Sequence, residues 1–387
     1  MNPTFLFWST LFFILYTYIG YPVILWILAK VSEKPISKAD FNCWPMVSIV
    51  IAAKDEEINI KQRLENLLAQ QYPGMLEVII VSDGSTDETV KVAEGYQELF
   101  ASKGRQLHIV EYYPSKGKPT ALNRGMEIAN GEITVFGDCR QRYARDAVKE
   151  LVRNFSDCTV GAVSGELLFL EDHESAIRME MGAYWNYEKA VRSLESKSGS
   201  VIGVTGAIYA IRSQLFRPIP SQTILDDVLI PMDINNKGFR ILFDGKAKAY
   251  DILSKELDKE WQRKVRTLAG NWQLISVAPW LFLPTYKDWW RFISHKVCRI
   301  FIPFVLPIFY IASFWATGPI YKIFAVLQTL FYFTAFITAK APTLQRMTML
   351  RFLYFFCVLN LAALEGFAFW ITGKATKTWQ RSQNRKK

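Results

Sequence analysis

Leu76-Glu77-Val78-Ile79-Ile80-Val81-Ser82-Asp83-Gly84-Ser85-Thr86-Asp87-Glu88 runs from a β-branched apolar block straight into an acidic glycine turn. Residues 78–81 read as a strand buried on both faces, and Ser85 with Glu88 has capping-box spacing for a helix to follow. Asp83 is therefore expected on a strand-to-helix corner, the place where open α/β sheets take their ligands.

The same alternation recurs on both sides of this stretch. Residues 47–53 form another apolar run, followed by Lys54-Asp55-Glu56-Glu57 and a segment whose Ile60, Leu64, Leu67 and Leu68 share one helical face. Strands at 78–81, 107–110 and 133–136 are each expected to lead into a helix, at 87–96, 120–129 and 145–155. Such a succession predicts right-handed crossovers and an α/β fold, a mainly parallel sheet with helices on both faces.

The ends of the chain have a different character. Half of the 387 residues are hydrophobic and 14% are aromatic, and the apolar residues cluster outside the alternating region. Residues 5–29 are uncharged, long enough to span a bilayer, and lack both a basic leader and a small-residue cleavage site, as expected of a retained anchor. Further candidate spans lie near 300–317, 320–339 and 352–372. The expected organisation is an anchor and linker at 1–41, a soluble cytoplasmic domain at 42–256, interfacial helices at 257–299, and a transmembrane region with a basic tail at 300–387.

The net charge of +10 is placed like membrane flanks: Lys30, Lys34 and Lys38, then Arg291, Lys296 and Arg299, then six Lys or Arg residues beyond Gly373. Membrane lipids are expected partners, with Trp280, Tyr286, Trp289 and Trp290 as interfacial aromatics. Nucleic acid is not, because no recognition motif accompanies the charge. With the N-terminus outside and every segment spanning, the basic tail would end outside, against the charge rule. Either one C-terminal segment is re-entrant or interfacial, with Pro303 and Pro307 pointing to the first of the three, or the rule fails here.

Five cysteines without paired ligand spacing argue against a disulfide framework or a zinc ribbon. His108, His173 and His295 lie far from any Ser or Cys motif, which disfavours a His-assisted nucleophile. Neither a G-x-G-x-x-G turn nor a P-loop occurs. The chemistry is left to carboxylates, Lys and Arg. Asp55, Glu56 and Asp83 either cap helices or accept the donors of a base and ribose. Lys116 and Lys118 flank Gly117 ahead of a helix, as a diphosphate site or as an ordinary exposed loop. Asp138 ends a buried run, as a metal ligand or as a turn residue. Asp226 and Asp227 open a helical stretch, where both cap it or one caps while the other is a general base. Arg263 and Arg266 share a helix face, suited to a leaving diphosphate or to lipid headgroups.

Together these motifs resemble the family 2 glycosyltransferases, membrane enzymes with a nucleotide-diphospho-sugar transferase fold. The resemblance covers about residues 47–270 and continues more loosely through Ser294-His295-Lys296-Val297-Cys298-Arg299. Ala52-Ala53-Lys54-Asp55-Glu56-Glu57 is similar to the family's Tyr-Asn-Glu turn, with Lys and Asp replacing Tyr and Asn. Ser82-Asp83-Gly84-Ser85-Thr86-Asp87 matches its Asp-Asp-Gly-Ser-x-Asp element except at Ser82. The resemblance implies that Glu56 and Asp83 contact base and ribose and that Lys118 lies near the donor. It also implies that Asp138 is the first acid of Asp-x-Asp, the ligand of Mg²⁺ or Mn²⁺. Asp227 falls on the last acid of the Thr-Glu-Asp segment, the base that deprotonates the acceptor hydroxyl, with Asp226 beside it. Arg263 and Arg266 would meet the leaving diphosphate.

Two departures qualify what is implied. Arg140 occupies the second acid of Asp-x-Asp, which leaves the divalent cation an open expectation. Arg263-Lys264-Val265-Arg266-Thr267 keeps only the arginine of the processive Gln-x-x-Arg-Trp element, which favours single sugar transfer. The expected activity is inverting transfer from a nucleotide-diphospho-sugar, first of all a UDP-sugar, to a lipid-linked or polysaccharide acceptor. The alternative is a catalytically silent membrane scaffold or regulator of polysaccharide assembly.

Overall fold

The structure is a computed structural model describing residues 2–170, 177–252, 257–341 and 343–373. The chain divides into two compact units: one built chiefly from Ser32–Leu170 and Glu195–Lys255, the other from Met1–Val31, Glu171–Leu194 and Glu256–Ala375. The contiguous soluble domain expected at 42–256 differs from this division, since Glu171–Leu194 groups with the apolar helices.

Among the described residues the first unit carries one eight-stranded sheet. Its strands are β1 (Val47–Ala53), β2 (Leu76–Asp83), β3 (Gln106–Tyr112), β4 (Ile133–Gly137), β5 (Arg142–Tyr143), β6 (Val160–Leu170), β7 (Tyr209–Arg212) and β8 (Arg240–Ile252). The spatial order is β3-β2-β1-β4-β7-β6-β8-β5. β1 pairs in parallel with both β2 and β4, and β3 with β2. The chain reverses its direction of strand addition between β1 and β4, and that switch opens a crevice at their carboxyl ends. β7 is antiparallel to β4 and β6, while β6 and β8 run parallel.

Apolar residues explain the layers. Val47, Ile49 and Ile51 of β1 pack in one core with Ile60, Leu64 and Leu67 of the helix Glu57–Leu68. On the other face the helix Lys118–Ile128 comes so close that a Cβ on Gly125 would lie 2.4 Å from Val50 Cγ1. Only glycine permits that approach, so a residue inside a helix becomes the contact that seats it.

Two local expectations are corrected. The helix after β2 starts later than the capping box predicts, at Thr89, and Glu88 makes no side-chain cap. Ser85 Oγ accepts instead from Ser82 Oγ and from the Asp55 amide, while Asp87 accepts from the Thr89 amide. The corners after β1 and β2 supply each other's partners: Asp55 accepts from the Thr86 amide at 2.8 Å, and Asp87 from the Glu57 amide at 3.1 Å. By sequence, Gly203 to Ile211 reads as a glycine-entered strand; the strand is confined to Tyr209–Arg212, since Gly203 takes a left-handed φ of +86° and residues 203–208 form a loop.

The second unit contributes, among the described residues, four helices long and apolar enough to cross a membrane: Pro3–Val31, Trp289–Trp315, Pro319–Lys340 and Thr348–Ile371. Pro303 and Pro307 lie inside Cys298–Trp315 without ending it, so the prolines do not break this segment, and the boundary expected at residue 300 falls within a continuous helix. Phe12, Phe314, Phe336 and Leu361 are exposed, an apolar surface suited to lipid. Glu365, an acid within the last span, accepts from Trp261 Nε1 at 2.8 Å.

Several residues read as membrane flanks also hold local structure. Lys38 bridges Glu150 and Asp244, at 2.8 and 2.5 Å. Arg299 lies 2.6 Å and His295 2.8 Å from the buried Glu188, and Arg291 lies 3.4 Å from Asp288. Trp289 and Trp290 likewise donate their indole N–H to Phe282 O and Tyr16 Oη, and Tyr286 is buried. The basic tail beyond Gly373 and His173 lie outside the described residues.

Candidate active site

The crevice at the β1/β4 switch is where the sequence motifs meet. Gly137 closes β4 and delivers Asp138 to the sheet's carboxyl edge, while Gly117, at φ +98°, turns the chain into the helix Lys118–Ile128. Lys118 Nζ lies 3.0 Å from Asp138 Oδ1 and 3.3 Å from Asp226 Oδ2. Burial by itself would lower the Lys118 ammonium; the carboxylates of Asp138, Asp226 and Asp227 outweigh it and hold it above the ordinary lysine range. For Asp138, desolvation raises the carboxyl, and the stronger combined pull of Lys118, Arg140 and Arg63 leaves it below its ordinary value. An ammonium paired with two acids and held by the charge of a third is a preformed charge centre, not a solvated loop residue.

The adjacent acids have diverged. Asp226 is buried against Lys118, whereas Asp227 is half-buried. A Cβ on Gly206 would lie 3.1 Å from Asp227 Oδ2, so glycine there leaves room for the carboxylate. Leu225 is the N-cap and makes no side-chain cap, and Asp226 and Asp227 both lie in the first turn of the helix Asp226–Asn236.

Asp83 is different. It is fully buried, and its oxygens accept from Tyr112 Oη (2.7 Å), Ser115 Oγ (2.8 Å), the Lys116 amide (2.7 Å) and the Gly117 amide (2.9 Å). Gly84 is required at this crossing, since a Cβ would lie 2.8 Å from the Ser115 nitrogen. Glu56 stays partly accessible, accepts from Asn59 Nδ2 at 2.7 Å, and is raised chiefly by burial. Arg263 and Arg266 belong to the helix Leu257–Val277 of the other unit.

Sequence reasoning missed the residues that stiffen the turn after β4. Arg142 Nη1 donates to the carbonyls of Cys139, Arg140 and Gln141, each at 2.9 Å. Arg63 is completely buried, stacks on the Tyr143 ring at 3.9 Å, and donates to Gln141 O at 3.0 Å. Its signal was present: Arg63 sits three residues after Ile60 and one before Leu64, a charge inside the apolar stripe. Asp251, near the end of β8, meets Arg140 Nε at 3.0 Å. Tyr209 Oη is buried without a hydrogen bond among the described residues and is pushed up by burial and by Asp226 and Asp227.

This residue set does not suit the expected Mg²⁺ or Mn²⁺. Asp138 is already paired with an ammonium, the second acid position carries a guanidinium, and among the described residues no three His, Cys, Asp or Glu converge as metal ligands.

Comparison with known proteins places the chain. Residues 48–218 match the family described as Glycosyl transferase family 2. The chain is 20% identical over 299 residues to a poly-beta-1,6-N-acetyl-D-glucosamine synthase of Staphylococcus epidermidis, covering 73% of this chain and 69% of that protein. Its counterpart in Staphylococcus aureus is 22% identical over 233 residues, 59% of this chain and 55% of that one, so this chain spans little more than half of that relative. The structure superposes with a TM-score of 0.70 on the mannosyltransferase PcManGT from Pyrobaculum calidifontis, solved with GDP-Man and Mn²⁺; identity is 21%, with 95% of this chain and 99% of that one covered. At that identity the likeness speaks for the fold. With the sheet topology and the sequence match in agreement, residues 48–218 constitute a family 2 glycosyl transferase domain, and the chain is a glycosyltransferase.

Proposed function

We propose that the chain transfers a sugar, with inversion, from a nucleoside-diphospho-sugar to a lipid-linked or glycan acceptor at a membrane, with the sheet unit on the cytoplasmic side. A UDP-sugar is the favoured donor class, since the relatives include poly-N-acetylglucosamine synthases. The observation that carries the reading is Lys118 paired with Asp138 and Asp226 at the switch point, with Asp227 half-buried beside Gly206.

In this reading Asp227 takes the proton of the acceptor hydroxyl as that oxygen attacks the anomeric carbon. The bond to the diphosphate breaks in the same step, its oxygen keeps the electron pair, and Lys118 meets the charge. Asp226 holds Lys118 in place. Asp83 contributes to nucleotide recognition through the Lys116–Gly117 turn whose amides it accepts, and Glu56 offers an oxygen to base or ribose. Arg263 and Arg266 are proposed to meet the leaving diphosphate or headgroups. The test is a panel of nucleotide sugars given to the purified protein in lipid vesicles, with release of nucleoside diphosphate measured. Release from one donor class is expected; no release from any donor would favour the silent-scaffold alternative.

A further inference from the structure

We propose that Arg140, held on Asp251, is the resident cation of the donor site, so that this chain binds the diphosphate of its nucleotide sugar without a divalent ion. The inference rests on the donor-site reading above and specifies its charge balance.

Arg140 stands two residues after Asp138 at the carboxyl end of β4. Its Nε lies 3.0 Å from Asp251 Oδ2, and Gln141 Nε2 donates to the same oxygen at 2.9 Å. Asp251 is 4% exposed while the Arg140 side chain remains 37% exposed. That pairing occupies Nε and leaves the two terminal nitrogens of the planar fork for a ligand, the geometry that suits phosphate. The backbone beneath is fixed by Arg142 and Arg63, which together grip the Cys139, Arg140 and Gln141 carbonyls. Arg140 also acts electrostatically on both Asp138 and Glu56, which locates it at the crevice.

A divalent ion on Asp138 would have to sit beside both the Lys118 ammonium, 3.0 Å from Oδ1, and this guanidinium. Both encounters are repulsive. As the bond from the anomeric carbon to the diphosphate breaks, the departing oxygen's charge is instead met by Arg140 and Lys118. Asp251 is a positioning residue: it touches no substrate and aims the guanidinium.

The experiment is calorimetric titration of UDP, GDP, ADP, CDP and dTDP into the full chain in lipid nanodiscs, in EDTA and then in Mn²⁺. At least one nucleotide is expected to bind with a Kd that changes by less than about threefold between the two buffers. Binding that vanishes in EDTA and returns with Mn²⁺ would overturn the proposal while keeping the donor site. Failure of all five nucleotides in both buffers would overturn the donor-site reading itself, and this proposal with it. Arg140→Ala is expected to weaken binding in EDTA by about 10- to 100-fold; parental affinity in that variant would contradict the role. Arg140→Asp is expected to make binding depend on Mn²⁺ and to show a bound-Mn²⁺ paramagnetic signal that the parent lacks. Asp251→Asn keeps the guanidinium and loosens it, so binding should weaken by about 3- to 10-fold without acquiring Mn²⁺ dependence.

Discussion

Asp83 and Asp138 occupy equivalent places, each an acid delivered by a buried parallel strand to the same edge of the sheet, yet they are satisfied in opposite ways. Asp83 is sealed by two hydroxyls and two backbone amides, with no exposure. Asp138 keeps 39% of its side chain exposed and is met by an ammonium that Asp226 shares. Main-chain donors cannot be exchanged without unmaking the loop, whereas an ion pair can be re-partnered by an incoming phosphate. The first acid is architecture for the second.

Substitutions can break that contrast. The largest effect is expected from Lys118→Met, which strips the counter-ion from both Asp138 and Asp226: nucleoside diphosphate release should fall about 10³-fold in kcat/KM. Asp138→Asn leaves Asp226 on the ammonium and should cost about 10²-fold, with the fold intact by circular dichroism. Because the folded Asp138 carboxyl is depressed and Lys118 raised, the pair's stabilisation is present above the unfolded carboxyl value. It is lost only as pH falls through the depressed one or rises through the raised ammonium. A melting temperature that varied steeply across neutral pH through this pair would contradict the assignment.

Asp83→Asn inverts the pattern: an amide N–H₂ confronts donors, so stability should drop by about 3 kcal/mol by denaturant titration. Where the variant remains folded, donor turnover should fall by less than about tenfold. The smallest effect belongs to Glu56→Gln. Burial raises the Glu56 carboxyl, so its ionised form costs stability above the raised value, and the cost fades as pH drops through it. The amide keeps the Asn59 contact, and a stabilisation within about 0.5 kcal/mol is expected at neutral pH, shrinking in acid.

The four parallel strands and their helices were legible because fully apolar β-branched runs alternate with helical faces; β1 was read to the residue. The acids and Lys118 were legible as motifs, since a corner residue announces itself beside glycine. What was hidden depends on distant pairing. Nothing near Arg140 indicates that Asp251, from a strand more than a hundred residues on, fixes its orientation. The capping box failed for a similar reason, because the corner after β1 offered Ser85 a better partner than its own helix. The ion pairs of Lys38, Arg291 and Arg299 were hidden as well, because composition locates charge without locating its counter-charge.

The most direct test of the account compares the parent with Asp227→Asn, measuring sugar transfer and nucleotide affinity side by side. Transfer is predicted to fall about 10²- to 10⁴-fold while the nucleotide binds as before, because the base acts only on the acceptor's proton. Transfer at the parental rate by Asp227→Asn would contradict it.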